Sequence, residues 1–329
     1  MNRDDEVVSL EYALQWQRDY VRDLGSPVAA AILEAALRNP DINLMPDPVR
    51  FGSLPGLRWM AAIHRLAIDR LAPGVAMHLP TLGGTPPTQA GRDAFMDAVS
   101  AAALANPDVI AEYFHRVPQT NETSRAAVLR CALSRMPCRK PVRLFEFGCS
   151  AGLNLLADLL PGLPALEAGP MPNIIDRVGC DLRPVDARTP EGRALLSSYV
   201  WVDDIDRWTR LQQALDVESR LAITVKQQDA AAFVREIEPV AGSCTVIWHS
   251  AMWIYLDQDQ RREVSLAIEG VAAKATLDTP VVHISWEWHE LQDEGPFELA
   301  ITTWNGTPTS GATTVLATGT SHGTSVVLR

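Results

Sequence analysis

Cysteine is scarce and scattered. The five residues Cys131, Cys138, Cys149, Cys180 and Cys244 contain no CxxC pair, so neither a zinc-binding spacing nor a disulfide framework is expected, and no metal site is read from the sequence. No run of about 18 apolar residues occurs, so no membrane-spanning helix is expected. Positive charge is in deficit, with 29 Lys and Arg against 40 Asp and Glu and a formal net charge of −11. That balance disfavours nucleic acid as a partner, because phosphate binding needs a basic face. The opening segment MNRDDEVVSLEYALQWQRDY is polar and then helix-periodic, unlike a secretory leader. The expected setting is cytoplasmic and the expected partner a small-molecule substrate, with the oligomeric state left open.

What remains is ordinary globular material, 47% hydrophobic and 21% charged over 329 residues, enough for one large domain or two modest ones. Residues 1–138 read as helices. Apolar positions recur at helical spacing in Glu11–Leu24 and again within LPGLRWMAAIHRLAIDRLAPG, and Gly25-Ser26-Pro27 and Pro73-Gly74 punctuate them. The character changes near Pro141. Short β-branched runs now alternate with helical stretches: VRLFEF (142–147), DRVGCD (176–181), LAITVKQQ (221–228), CTVIWHS (244–250), PVVHISWEW (280–288), FELAITTW (297–304) and GTSVVL (323–328). Helices fit between the first five runs and only turns between the last three. The expectation for residues 139–329 is an α/β domain, a mostly parallel seven-strand sheet closed by an antiparallel hairpin.

The segment FEFGCSAGLNLL (145–156) supports two chemistries. A strand ending in a tight glycine turn before a helix lets the backbone approach a nucleotide-type ligand, with helix amides facing an anionic group. On that reading Glu146, Gly148, Ser150, Gly152 and Asn154 build the turn. An acid after the next strand, Asp181, takes ribose hydroxyls. Gly148-x-Ser150-x-Gly152 also spells the nucleophile elbow of a serine hydrolase, with Asp257 and His322 following in chain order. That elbow normally follows several strands of its sheet, and residues before Pro141 offer only helices. A plain structural turn is the third reading.

These segments, with QTNETSR (119–125), RVGCDLRPVD (177–186), VWVDDIDRWTRLQQA (200–214), VIWHSAMWIYL (246–256) and SHGTSVVL (321–328), resemble the bacterial family DUF2332 over nearly the whole chain. The resemblance implies a Rossmann-like methyltransferase fold with an added helical N-terminal region, and S-adenosylmethionine as cofactor. Ser150 stands where the common methyltransferase glycine signature has a second glycine.

The fold so implied places further candidates. Asp229, after the third strand, sits where adenine-binding acids lie, and is an equally good helix N-cap. His249 ends the fourth strand facing the transferred methyl, a possible base near neutral pH; the alternative is a satisfied core histidine. Glu287, between Trp286 and Trp288, is a second candidate base or substrate anchor, and His289 follows it. Trp253 and Tyr255 wall the substrate or pack. Gln119, Asn121 and Glu122 form a polar lid or cap the next helix, and His322 is a substrate-side candidate. The resulting expectation is an S-adenosylmethionine-dependent methyltransferase of a small molecule, with catalytic His249, Glu287 and Tyr255. A Ser150 hydrolase and a non-catalytic cofactor-binding sensor are the alternatives.

Overall fold

The computed structural model describes residues 6–42, 46–162, 166, 169–221, 223–288, 296–307 and 310–329. Contacts divide the chain into two compact units. One comprises residues 1–120 and 189–212, the other residues 121–188 and 213–329. This course differs from a single cut at residue 138: the helix at 125–135 joins the sheet, and the segment 189–212 returns to the helices.

In the first unit a two-stranded antiparallel sheet, β1 (Val7–Val8) and β2 (Val49–Arg50), accompanies α1 (Leu10–Asp23), α2 (Pro27–Arg38), α3 (Pro55–Ile68), α4 (Pro73–Ala76), α5 (Arg92–Ala105) and α6 (Pro107–His115). Two-residue strands carry no periodic signal, which is why an all-helical region was the expectation here. Ser9 caps α1 by accepting the Tyr12 amide. Ser26 makes no such cap for α2; the Asp203 carboxylate accepts Val28 N at 3.2 Å and Ala29 N at 2.8 Å instead, placing an anion at the positive helix end. His64 is fully buried, with Nδ1 3.0 Å from Val200 O and Nε2 3.0 Å from Thr81 Oγ1. Burial lowers its pKa to about 4. α8 (Pro190–Ser198) belongs to this unit, and its Ser198 hydroxyl meets Tyr113 OH at 2.8 Å.

The second unit is built on one sheet of eight strands: β3 (Val142–Phe147), β4 (Ile174–Asp181), β5 (Thr224–Gln227), β6 (Cys244–Ser250), β7 (Val281–Trp288), β8 (Phe297–Trp304), β9 (Thr313–Gly319) and β10 (Val326–Leu328). Their order is β10-β9-β8-β7-β6-β3-β4-β5. β3 pairs in parallel with β4 and β6, β4 with β5, and β6 with β7. β8, β9 and β10 extend the sheet as an antiparallel meander. Eight strands replace the expected seven, and a meander replaces the hairpin. The added strand is TTVLATG at β9, whose β-branched start was masked by the Gly, Thr and Ser residues around it.

Around the sheet lie α7 (Arg125–Arg135), α10 (Ala230–Arg235) and α11 (Gln258–Ala272), while α9 (Ile205–Glu218) runs from one unit into the other. α10 packs against β3 and β4, α11 against α10 and β7, and α7 against β7 and β8. Phe145, Phe147, Ile247, Phe233, Val264 and Ile268 form a continuous apolar layer. Among the described residues no helix is long and apolar enough to cross a membrane, and no group of three His, Cys, Asp or Glu side chains could hold a metal ion.

Candidate functional site

Reversal of strand order at β3 makes the carboxyl ends of β3 and β6 neighbours with connections leaving in opposite directions. Open α/β sheets hold ligands in the crevice at such a switch point. β3 ends there in Gly148-Cys149-Ser150-Ala151-Gly152, and β6 in His249-Ser250-Ala251.

The turn has left-handed backbone at alternate residues: φ is +66° at Gly148, +55° at Ser150 and +74° at Gly152. Glycine is required at Gly148 twice over, since an added Cβ would lie 2.4 Å from Met252 Cγ. The expected amphipathic helix does not follow. Only a 3₁₀ turn, Leu153–Leu156, forms. All four of its residues are buried, so it lacks the solvent face that an amphipathic helix needs.

The turn amides are already engaged. Ser150 N donates to Asp181 Oδ2 at 2.8 Å, and Ala151 N and Leu153 N donate to Asn121 Oδ1 at 3.3 and 3.4 Å. Asn121 therefore brackets the turn and does not cap α7, whose N-cap position is Ser124. The other Asp181 oxygen accepts Arg183 N. Neighbouring residues tie the turn to the end of the chain. Glu122 Oε1 accepts from Ser124 N, the Ser124 hydroxyl lies within hydrogen-bond reach of both Glu122 Oε1 and the His322 carbonyl, and Arg125 Nε donates to Ser321 O. Gln119 falls in the helical unit.

Behind the turn, Glu146 is 2% exposed. Its Oε1 accepts Trp248 Nε1 at 3.1 Å. Burial raises its pKa to about 8, against the opposing pull of the Trp248 indole, the Asn154 side chain and Arg125. At neutral pH it is mostly an uncharged acid, with a proton to donate. Glu146 Oε2, Ser150 Oγ and Asn154 Oδ1 are buried without hydrogen-bond partners in the described structure. Such atoms cost ~1–3 kcal/mol each unless something meets them, so they mark where a polar ligand would be accommodated. The adjacent thiols do not offer a nucleophile: burial pushes Cys149 well up and Cys180 to about 12.

On the opposite sheet face stand Phe147, His249, His283 and Glu287. β3–β6 and β6–β7 register puts Glu146, Trp248 and Trp286 on one side and these four on the other. His249 Nδ1 is 2.8 Å from Glu287 Oε1, and His249 Nε2 is 3.0 Å from His283 Nε2. Glu287 Oε1 also accepts Met252 N at 2.9 Å and Trp253 N at 3.4 Å. The His249 ring is 1% exposed and stacks on Phe147 and Trp253 at 4.6 and 4.7 Å.

A family model described as "Uncharacterized protein conserved in bacteria (DUF2332)" matches residues 11–161 and 160–327. The chain belongs to DUF2332. No curated protein matches this DUF2332 chain. Among solved structures it is similar to the sugar N-methyltransferase KedS8 from Streptoalloteichus sp ATCC 53650, at 14% identity, over 62% of this chain and 75% of that one, with a TM-score of 0.23. It is also similar to LepI in complex with SAM, at 13% identity, covering 84% of this chain and 64% of LepI, TM-score 0.25. A LepI variant in complex with SAH and a substrate analogue matches at 14% identity with the same coverage and TM-score. At this level of similarity the strand order of the DUF2332 chain is the firmer guide to its fold.

The structure thus brings Glu146, Gly148, Ser150, Gly152, Asn154, Asp181 and Asn121 together at one turn, and His249, Glu287 and Trp253 together on the other face. Asp229 caps α10 through Ala232 N at 2.9 Å. Tyr255 is 55% exposed on a 3₁₀ turn. The hydrolase triad is not assembled: Ser150 Oγ bonds no histidine, and Asp257 is held in the capping box of α11. His283 escaped sequence reading, although its two-residue alternation with Ser285 and Glu287 was available. His289 lies outside the described residues. A cavity of about 440 Å³ in the helical unit, lined by Arg38, Met96, Asp97 and Leu104, contains none of these residues.

Proposed function

We propose that this DUF2332 protein binds S-adenosylmethionine at the β3 turn and transfers its methyl group to a small molecule. The observation carrying this reading is the parallel β5-β4-β3-β6-β7 order, whose switch point coincides with the glycine turn and three unpartnered buried oxygens. When bound, the sulfonium cofactor supplies an activated methyl, so the protein's part is alignment and exclusion of water. The Asp181 carboxylate, already accepting two amides, retains lone pairs for ribose hydroxyls. Neutral Glu146 and Asn154 would supply a donor and an acceptor at the turn, and Asp229, at the N-cap of α10, would meet the adenine end. With the turn amides taken by Asp181 and Asn121, side chains carry recognition of the methionine end.

One observation favours a second reading, a non-catalytic sensor on the same cofactor site. His249, the sequence-level candidate for the base, is sealed, with both nitrogens engaged. Calorimetric titration with S-adenosylmethionine and S-adenosylhomocysteine separates these from no binding at all. Dissociation constants in the micromolar range, weakened at least tenfold by Asp181→Ala, are expected. A folded wild-type protein that binds neither ligand ends both readings. Binding without turnover in a methyl-acceptor screen supports the sensor.

A further inference from the structure

The histidine at the middle of β7 completes a chain of titratable groups that the turn site does not use. Glu287 Oε1 accepts two backbone N–H groups, from Met252 and Trp253, so it meets His249 as an acceptor as well. His249 Nδ1 then carries the proton of that 2.8 Å bond, and His249 Nε2 carries a lone pair. His283 Nε2, 3.0 Å away, must donate into it. A neutral imidazole protonated at Nε2 is an acceptor at Nδ1. His283 Nδ1 bonds no described residue, and the residue is half-buried. The rings of His249 and His283 lie nearly parallel, 5.1 Å apart at 15°.

We infer that Glu287, His249 and His283 form a proton relay whose working end is His283 Nδ1, an acid–base site for a hydroxyl or amine substrate on the sheet face opposite Glu146. The proton balance is closed. Substrate X–H gives its proton to His283 Nδ1, His283 passes its Nε2 proton to His249 Nε2, and the positive charge comes to rest on His249 against the Glu287 carboxylate. His283 is poorly suited to hold that charge itself, because burial and then the neighbouring His249 lower its pKa to about 3. Its register partner on β8 is Thr302, whose hydroxyl lies 2.7 Å from Thr313 Oγ1. The neighbour of His283 on that strand is therefore polar and uncharged. This site is independent of the cofactor reading and stands or falls apart from it.

Long-range proton–nitrogen NMR on the full-length protein with ¹⁵N-labelled histidine tests it, with His283→Gln used for assignment. The expected spectrum shows His249 protonated at Nδ1 and His283 at Nε2 only. His249→Leu removes the acceptor, and the tautomer ratio of His283 shifts by about fivefold toward Nδ1–H, the equivalent of one hydrogen bond. Diethyl pyrocarbonate, mapped by peptide mass spectrometry on the wild type, is expected to modify His283 and spare His249. A wild-type His283 protonated at Nδ1, an unmodified His283, or a tautomer ratio indifferent to His249→Leu would each overturn the relay. Because the first and second readouts need only the wild-type fold, a misfolded variant leaves the test intact.

Discussion

At the switch point the two faces of one sheet handle buried polarity differently. On the side of Glu146, oxygen atoms of Glu146, Ser150 and Asn154 are buried with no partner. On the side of His249, one carboxylate oxygen gathers three N–H groups and both imidazole nitrogens are engaged. On the first face three unmet oxygens cluster around the turn; on the second, one Glu287 oxygen fixes the orientation and tautomer of His249 while its other oxygen, Oε2, is itself buried and unmet. Unmet buried groups destabilise a fold and persist where a ligand meets them; a completed chain is preorganised for moving a proton. The proposed binding turn and the proposed proton relay therefore lie on opposite faces of one layer of backbone.

The largest expected effect is the pH dependence of stability on the Glu146 side. Its folded pKa, about 8, lies above that of an unfolded glutamate, ~4.3. Below the unfolded value both states hold the proton and the burial costs nothing extra. Between the two values only the folded state holds it, so stability falls as pH rises, by roughly 1.4 kcal/mol per pH unit, and levels off above about pH 8. Urea denaturation at pH 5, 6, 7 and 8 is expected to show Glu146→Gln gaining on the wild type by several kcal/mol across that window. Parallel curves for the two proteins would remove the neutral acid from the turn. Next comes the opposite face. Glu287→Ala strands His249 Nδ1 and the Met252 amide, and a loss of ~3 kcal/mol at pH 7 is expected; a loss below ~1 kcal/mol would mean the relay is not held as described. Asn121→Ala frees two turn amides through long bonds, for an expected cost of ~1 kcal/mol, with protection against amide hydrogen exchange falling at Ala151 and Leu153. Smallest and opposite in sign is Ser150→Gly. It relieves the left-handed backbone and deletes an unpartnered hydroxyl, against the extra chain entropy of glycine, for a net gain of up to ~1 kcal/mol. Retained S-adenosylmethionine binding in that variant would show that the Ser150 hydroxyl is not needed to hold the cofactor.

Local pattern made the parallel core readable. The runs at 142–147, 244–250 and 297–304 became strands with those bounds, because β-branched stretches bounded by turn residues have few other ways to bury their backbone. The turn at Gly148 was visible for the same reason. What was not readable depended on contacts between distant residues. Glu146 and Glu287 look alike as acids within apolar strands, and only register shows that they face opposite ways. Asn121 read as part of a polar lid or as a cap for the next helix, and it accepts amides 30 and 32 residues later. The pairing of His249 with His283 spans 34 residues and has no spacing signature. The strand at Thr313–Gly319 was hidden by its own threonines and glycines, which read equally well as a turn.

Asp203 capping α2 has a consequence for how the chain is made. The helices of residues 1–120 leave the ribosome well before the groups that complete them: Ser198 for Tyr113, Val200 for His64, and Asp203 for the first amides of α2. At ~5–20 residues per second, the interval from Thr120 to Asp203 lasts on the order of ten seconds. Through it the nascent chain carries a tyrosine and a histidine bound for the interior without their acceptors, while the strands β3 and β4 emerge and begin to pair. The helical unit is the first to be synthesised, yet it cannot be finished until the chain has left it and come back.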